Sequence, residues 1–328
     1  MSKRVDYIDV IKGFAIFGVV WRHTACPSWL TLNFIFFILG GFFFKRKPLR
    51  IFIKEKVRYI LLPFSFFYVV SYPFDILLCL WRNKTLANYN WNCIWDVFTI
   101  SADRGYLTLN IPLWFLLSFF TIQILYYFIS YLDKRLIIVI SLLCLGLSKF
   151  ILSVPTPFMI NAAFVNLGFF ALGNLVGKPW IDKLKDFSFR KMSLVLSSLL
   201  LAALFIPIGG LTGFFYSVAY YIKLFMAFFI IMSVASWFNE KCYLSVVRFY
   251  GENSLTILGL HALPLTLVKR KTITFFGECT PFMGFIQSVI VMAVMYAVIL
   301  FCNKYIPFLV GKKVVTKEQP QEATAIIA

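Results

Sequence analysis

The sequence RVDYIDVIKGFAIFGVVWRH, residues 4–23, is the stretch that decides the fold. It is an apolar run with Asp9 and Lys12 near its start and His23 at its end. Lys12 and His23 are eleven residues apart, and steps of about 100° return them to within about 20° of one helix face. At about 1.5 Å per residue, His23 lies on the order of 16 Å beyond Lys12, roughly half of a hydrocarbon core about 30 Å thick. An ionisable group at that depth is costly, so it predicts a functional site.

The composition of the 328-residue chain indicates a protein that crosses a membrane several times. Hydrophobic residues make up 61%, charged residues 14%, and the mean hydropathy is +0.84. One soluble core could not bury that much apolar surface. The net charge of +18 does not predict nucleic-acid binding, because the basic residues lie between apolar runs rather than along one face. The chain starts without a signal-peptide cleavage site, so the first run is expected to remain as a helix.

Apolar runs of about 17 to 25 residues predict an all-α polytopic fold of about ten transmembrane helices. The predicted spans are residues 8–27, 29–44, 59–81, 111–131, 135–151, 158–177, 191–208, 214–238, 254–268 and 283–303. With both termini in the cytoplasm, most lysines and arginines fall in cytoplasmic segments, as the positive-inside rule requires. We expect a transmembrane domain over residues 1–311 and a disordered polar cytoplasmic tail over residues 312–328.

One basic cluster, Lys269 to Lys271, falls on the predicted outer side of the membrane. Either the topology differs near the ninth helix, or these cations face an anionic group outside. The seven cysteines are scattered and lack CxxC or other metal-ligand spacing, so neither a metal site nor a redox function is predicted.

His23 is the first candidate for chemistry. An imidazole can deprotonate a sugar hydroxyl as a general base, or attack a thioester and carry the acyl group. The alternative is a histidine that only hydrogen-bonds a neighbouring helix. Asp9 and Lys12 are spaced to pair on the helix surface, and Lys12 could also hold the anionic end of a donor. The second histidine, His261, either shares a site with His23 or packs as a polar core residue.

The stretch KRKPLRIFIKEKVRYILLP, residues 45–63, supplies further cations. Its Lys54, Lys56 and Arg58 could bind phosphates, or they could anchor the protein to anionic lipid.

Aromatic and amide side chains mark the predicted outer side. They are concentrated in the connection 82–110, which also contains Arg104, and Trp114 follows shortly after it. Such side chains suit sugar binding, but they are equally typical of an aromatic belt at the membrane surface.

Four stretches resemble the acyltransferase-3 family, integral membrane O-acyltransferases that modify cell-surface sugars. They are DYIDVIKGFAIFGVVWRH (6–23), FIKEKVRYILLP (52–63), IPLWFLLSFF (111–120) and GENSLTILGLHALPL (251–265). The family has Arg or Lys, ten residues and then His, and Lys12 and His23 fill these places. The fourth stretch, which contains His261, is similar to the sugar O-acetylase branch.

The second stretch departs from the family pattern. Members often have Arg, two residues and then Arg, whereas Glu55 and Arg58 stand in these places here. Lys54 and Lys56 are expected to substitute as point charges in binding the phosphates of coenzyme A.

The resemblance implies acyl transfer from acyl-CoA, acetyl-CoA in the first instance, to a hydroxyl of a cell-surface or lipid-linked glycan. The donor is expected to bind from the cytoplasm, at the inner membrane of a bacterium, without a metal. The implied catalytic residues are His23, Lys12, Asp9 and His261. The implied donor-binding residues are Lys54, Lys56 and Arg58. The implied acceptor-binding residues are Trp114 and Arg104.

Two other functions are compatible with the sequence. A transporter or flippase for a lipid-linked sugar would line its passage with Lys12, His23, Lys223 and His261. Against it, no matching halves with Gly or Pro breaks are visible. A non-catalytic membrane scaffold would leave the shared face of Lys12 and His23 unexplained.

Overall fold

The computed structural model describes residues 6–25, 32–97, 109–154, 156–184, 186–204, 206, 208, 210, 213–238, 244–276 and 280–312. All regular structure in these residues is helical, which confirms the all-α prediction. The α-helices are α1 (Asp6–Arg22), α2 (Phe34–Phe42), α3 (Leu49–Lys56), α4 (Leu62–Asn83), α5 (Trp114–Ile129), α6 (Lys134–Gly146), α7 (Ser148–Ser153), α8 (Ile160–Val165), α9 (Leu167–Lys183), α10 (Phe187–Leu204), α11 (Gly213–Phe238), α12 (Ser245–Glu252), α13 (Ser254–Leu260), α14 (Ala262–Phe276) and α15 (Pro281–Tyr305). Short 3₁₀ turns lie at Trp91–Trp95, Ile111–Leu113 and Pro157–Met159.

Several helices are long and apolar enough to cross a membrane. The five that qualify are Leu49–Asn83, Ile111–Ile129, Phe187–Leu204, Val218–Phe238 and Pro281–Tyr305. A pair bent by 57°, Pro157–Val165 with Leu167–Gly177, adds a sixth if it forms one span. This confirms a multi-pass membrane protein. The number of ten spans and the cytoplasmic position of the termini stay predictions.

Some predicted spans are short or broken in the structure. The first corresponds to α1, with 17 residues, and the second to α2, with 9. The ninth is divided into α13 and α14 at His261. Pro264 explains that break, because it has no N–H to offer the carbonyl of Leu260.

The third span begins earlier than predicted. The basic stretch before it is helical, and α3 runs through a π-helical turn at Val57–Leu61 directly into α4. Pro63 accounts for the wider turn, because it cannot donate to the carbonyl of Tyr59. Of the predicted tail, only Lys312 lies within the described residues, and its Nζ donates to Asn253 Oδ1 at 2.6 Å.

Glycines allow the helices around α1 to approach closely. A side chain at Gly251 of α12 would collide with the carbonyl oxygen of Asp9 in α1, and one at Gly13 of α1 would collide with that of Val247 in α12. Membrane helices commonly pack through such small residues, because lipid offers no hydrophobic drive for association. The position of α1 is therefore fixed against α12.

Substituting Gly251 by leucine tests this packing. Leucine favours a helix over glycine by somewhat under about 1 kcal/mol, but here it would push α12 from α1 and cost about 1–3 kcal/mol or more. We expect a lower thermal unfolding midpoint for the purified protein in detergent. Gly146→Leu is the matched control, because nothing lies within 4 Å of a Cβ at Gly146. Equal midpoints for the two variants would contradict the close packing.

Candidate active site

The two histidines of the chain lie side by side. His23 follows the last turn of α1 and is half-buried. Its ring centroid is 5.5 Å from that of His261, with the ring planes inclined at 50°. The structure thus brings together two residues that are 238 positions apart in the sequence, and it favours a shared site over independent packing.

His261 has a defined orientation at the break between α13 and α14. The side chain is fully buried, and its Nδ1 lies 2.8 Å from the carbonyl oxygen of Ile257. A carbonyl oxygen only accepts hydrogen bonds, so Nδ1 carries the proton and Nε2 keeps a lone pair. No other described residue forms a hydrogen bond with Nε2. A buried acceptor therefore remains available next to His23.

Two cavities meet at His23. The larger, of about 410 Å³, is lined by the His23 side chain together with Trp114, Phe115 and Leu258. The smaller, of about 210 Å³, is lined by His23 and by residues of α4, the 109–112 segment and α14. Both also border on Ile111 and Pro112, so the two cavities lie next to each other at His23.

A third cavity, of about 360 Å³, lies at the Lys12 end of α1. Lys12 and Lys56 are both in its lining, and it shares Phe115 and Leu258 with the large cavity at His23. Lys12 and His23 thus border on adjoining cavities.

Asp9 and Lys12 form the predicted pair. Lys12 Nζ lies 3.2 Å from Asp9 Oδ1, and Asp9 is 4% exposed. The lysine carries its cation into the cavity while the buried carboxylate offsets part of the cost of burying charge.

Only one of the three predicted donor-binding cations reaches this cavity. Lys56 borders on it. Lys54 is exposed and outside the lining, and Arg58 is exposed with its guanidinium 5.4 Å from the Phe308 ring centroid. Glu55 also borders on the cavity and accepts from Lys47 Nζ at 2.6 Å.

One of the two predicted acceptor-binding residues lies within the described structure. Trp114 borders on the His23 cavity, which agrees with a substrate contact. Arg104 lies outside the described residues.

Sequence reasoning missed Asn110. This side chain is 2% exposed and donates to Ser71 Oγ at 2.8 Å and to the carbonyl of Gly259 at 2.9 Å. Its Oδ1 is buried and has no partner in the described part of the chain. Asn110 borders on the smaller His23 cavity, and its only sequence signal is an amide directly before the Ile111–Pro112 helix start.

Gln287 was also missed. It is 1% exposed in α15, and its Oε1 accepts from the backbone N–H of Ala25 at 3.0 Å. This bond ties the turn after α1 to α15, so Gln287 is a positioning residue for His23.

These features define a multi-pass membrane protein with a histidine pair at the junction of cavities that extend toward both ends of α1. A family model described as an acyltransferase domain, Acyl_transf_3, matches residues 5–304. The chain belongs to this acyltransferase-3 family. No curated protein and no solved structure matches the chain. The match confirms the resemblance found in the sequence, while the sugar O-acetylase branch stays a prediction.

Replacing Gln287 by leucine tests its positioning role. The variant keeps a buried side chain of similar size but loses the acceptor for Ala25. We expect kcat for acyl transfer to fall about ten-fold to a hundred-fold, because a small displacement of a reacting group is costly, while KM stays unchanged. Ser288→Ala is the control, since the hydrogen bond of Ser288 Oγ in the described structure stays within its own helix, to Gly284. A Gln287→Leu enzyme with wild-type kcat would contradict the role.

Proposed function

We propose that this protein is an O-acyltransferase that moves an acetyl group from cytoplasmic acetyl-CoA to a hydroxyl of a cell-surface or lipid-linked glycan. One observation carries the proposal. His23 borders on two cavities, and the larger adjoins the Lys12 cavity through Phe115 and Leu258. Membership of the acyltransferase-3 family favours this function over a transporter or a scaffold.

The donor binds at the Lys12 end of α1. Lys12 and Lys56 supply cations for the phosphates of coenzyme A, since compact ammonium groups bind phosphate as point charges. The acyl-pantetheine arm then extends past the apolar Phe115 and Leu258. The distance it covers is on the order of 16 Å along α1. The charged nucleotide stays at the cytoplasmic end, because crossing the hydrocarbon core would be costly.

His23 acts at the thioester. As a general base, it takes the proton of the acceptor hydroxyl while the hydroxyl oxygen attacks the carbonyl carbon. A C–O bond forms, the C–S bond breaks, and the departing thiolate of coenzyme A takes up the proton. In the alternative route, a His23 ring nitrogen attacks the thioester carbonyl, a C–N bond forms, the C–S bond breaks, and coenzyme A leaves as a thiol with the ring N–H proton. The acceptor hydroxyl then attacks the acyl-imidazole, the C–N bond breaks, and the hydroxyl proton returns to the ring.

His261 supports His23 in either route. In the reacting complex, the Nε2 lone pair of His261 accepts an N–H from the neighbouring His23 ring and so selects its tautomer. The other His23 nitrogen then keeps its lone pair and faces the substrates. The acceptor sugar packs against Trp114, whose ring presents a broad apolar face. The site of action is the bacterial inner membrane, where acetyl-CoA is available on the cytoplasmic side.

His23→Ala tests this function. Acyl transfer from radiolabelled acetyl-CoA to an extract of the host's glycans should fall by about 10²-fold to 10⁴-fold, the usual contribution of a general acid or base. Size-exclusion chromatography checks that the variant is folded. Near-normal transfer would contradict the mechanism.

His261→Asn and an acceptor-free reaction refine the test. Asparagine keeps a hydrogen-bonding side chain, so His261→Asn is expected to lose less activity than His23→Ala. Without acceptor, label that remains on the wild-type protein but not on His23→Ala supports His23 as the acyl carrier, and no label on either supports its role as the base.

A further inference from the structure

The smaller cavity at His23 has a cationic lining. Arg82 at the end of α4 and Lys269 of α14 both border on it. The lining also contains the carboxylate of Asp75, whose Oδ2 accepts from the Tyr89 hydroxyl at 3.0 Å, so two cations stand against one anion. Burial and hydrogen bonds to Cys93 and Asp75 raise the pKa of Tyr89, so the phenol keeps the proton that it donates.

The two cations have no ion-pair or hydrogen-bond partner among the described residues. Neither Lys269 nor Arg82 forms an ion pair or a hydrogen bond with another residue in the described ranges. Lys269 is half-buried, and a buried charge without a partner is costly. The neighbouring Arg270 is held elsewhere, with its guanidinium 4.4 Å from the Trp81 ring centroid. This contact holds α14 beside the end of α4, where Arg82 lies.

A buried acceptor completes the lining. Asn110 is 2% exposed and borders on the cavity, and its Oδ1 is unpartnered within the described structure. Because its amide nitrogen is fixed by Ser71 and Gly259, the oxygen is the atom left to receive a hydrogen bond. A cavity with two free cations and one free acceptor fits a ligand that carries a negative group and a hydroxyl.

We propose that the acceptor of this enzyme is anionic and that its charged end binds in the smaller cavity, while its sugar reaches past His23 to Trp114 in the larger one. Its negative group lies between Lys269 and Arg82, and one hydroxyl donates to Asn110 Oδ1. A second hydroxyl then meets His23 for acylation. The negative group is either the carboxylate of an acidic sugar or a phosphate of a lipid carrier, since both are bound by the same charge-assisted hydrogen bonds. This inference rests on the proposed acyl transfer.

Binding without acyl-CoA is the first test. Wild-type protein in neutral lipid nanodiscs is titrated with a glucuronic-acid oligosaccharide and its neutral glucose counterpart. A second pair compares a sugar linked to polyprenyl diphosphate with the same sugar linked to polyprenol. We expect the anionic ligand of at least one pair to bind about ten-fold tighter or more than its neutral counterpart. A gain of this size is what one charged contact contributes to affinity. Preference in the first pair identifies a sugar acid, and in the second a lipid-linked phosphate.

Variants assign the preference to the cavity. Lys269→Gln and Arg82→Gln should each remove most of the preference for the anionic ligand, and Lys269→Arg should retain that preference. Lys271→Gln is the matched control, an exposed cation two residues along the same helix and outside the lining. The inference is overturned if anionic and neutral ligands bind equally, or if Lys271→Gln weakens binding as much as Lys269→Gln.

Acyl transfer with the same ligands separates this inference from the proposed function. Transfer to neutral acceptors that Lys269→Gln leaves unchanged would overturn the anionic acceptor but support acyl transfer. Charge-selective binding that depends on Lys269, with no transfer to any ligand, would support the binding site and reject the acyltransferase.

Discussion

The close packing of α1 against α12 determines the geometry of the site. Gly13 and Gly251 bring the two backbones together, and α12 continues through α13 to His261. The same contact therefore sets the distance between His261 and His23, which ends α1. Gln287 adds a second constraint from α15 by holding the turn that follows His23. A histidine placed in this way is exposed to cavities although its helix is embedded in protein.

The arrangement of charge follows from the cost of burying ions in a membrane. Lys12 is compensated by Asp9 at 3.2 Å, so its cation can border on an apolar cavity. At the other end of α1, the half-buried Lys269 and the exposed Arg82 form no ion pair with another described residue, so the cost of an uncompensated buried charge applies to Lys269. One substrate can thus approach each end of α1, and the neutral segment at Phe115 and Leu258 separates the two charged regions.

Much of this could be predicted from the sequence. Hydropathy gave the all-α membrane class, and helical periodicity predicted both the shared face of Lys12 and His23 and the pairing of Asp9 with Lys12. The helix α3 was not predicted, because so many charged residues in a short stretch are typical of a loop. Two steps along a helix rotate the side chain by about 200°, which places residues two apart on nearly opposite faces. This explains why Lys56 borders on the cavity and Lys54 does not.

The polar residues that hold the site together could not be predicted. Asn110 bonds to Gly259, 149 positions away, and Gln287 to Ala25, 262 positions away. A buried amide in an apolar run shows only that a partner is needed, and the partner depends on tertiary packing. For the same reason the sequence left open whether His261 joins His23.

In the proposed mechanism, donor and acceptor approach His23 from opposite ends of α1. Proteoliposomes of uniform orientation test this sidedness, with radiolabelled acetyl-CoA present only on the Lys12 side of the membrane and the glycan acceptor only on the other. We expect label to appear on the acceptor while coenzyme A remains on the donor side. Transfer that occurs only when both substrates share one compartment would contradict it.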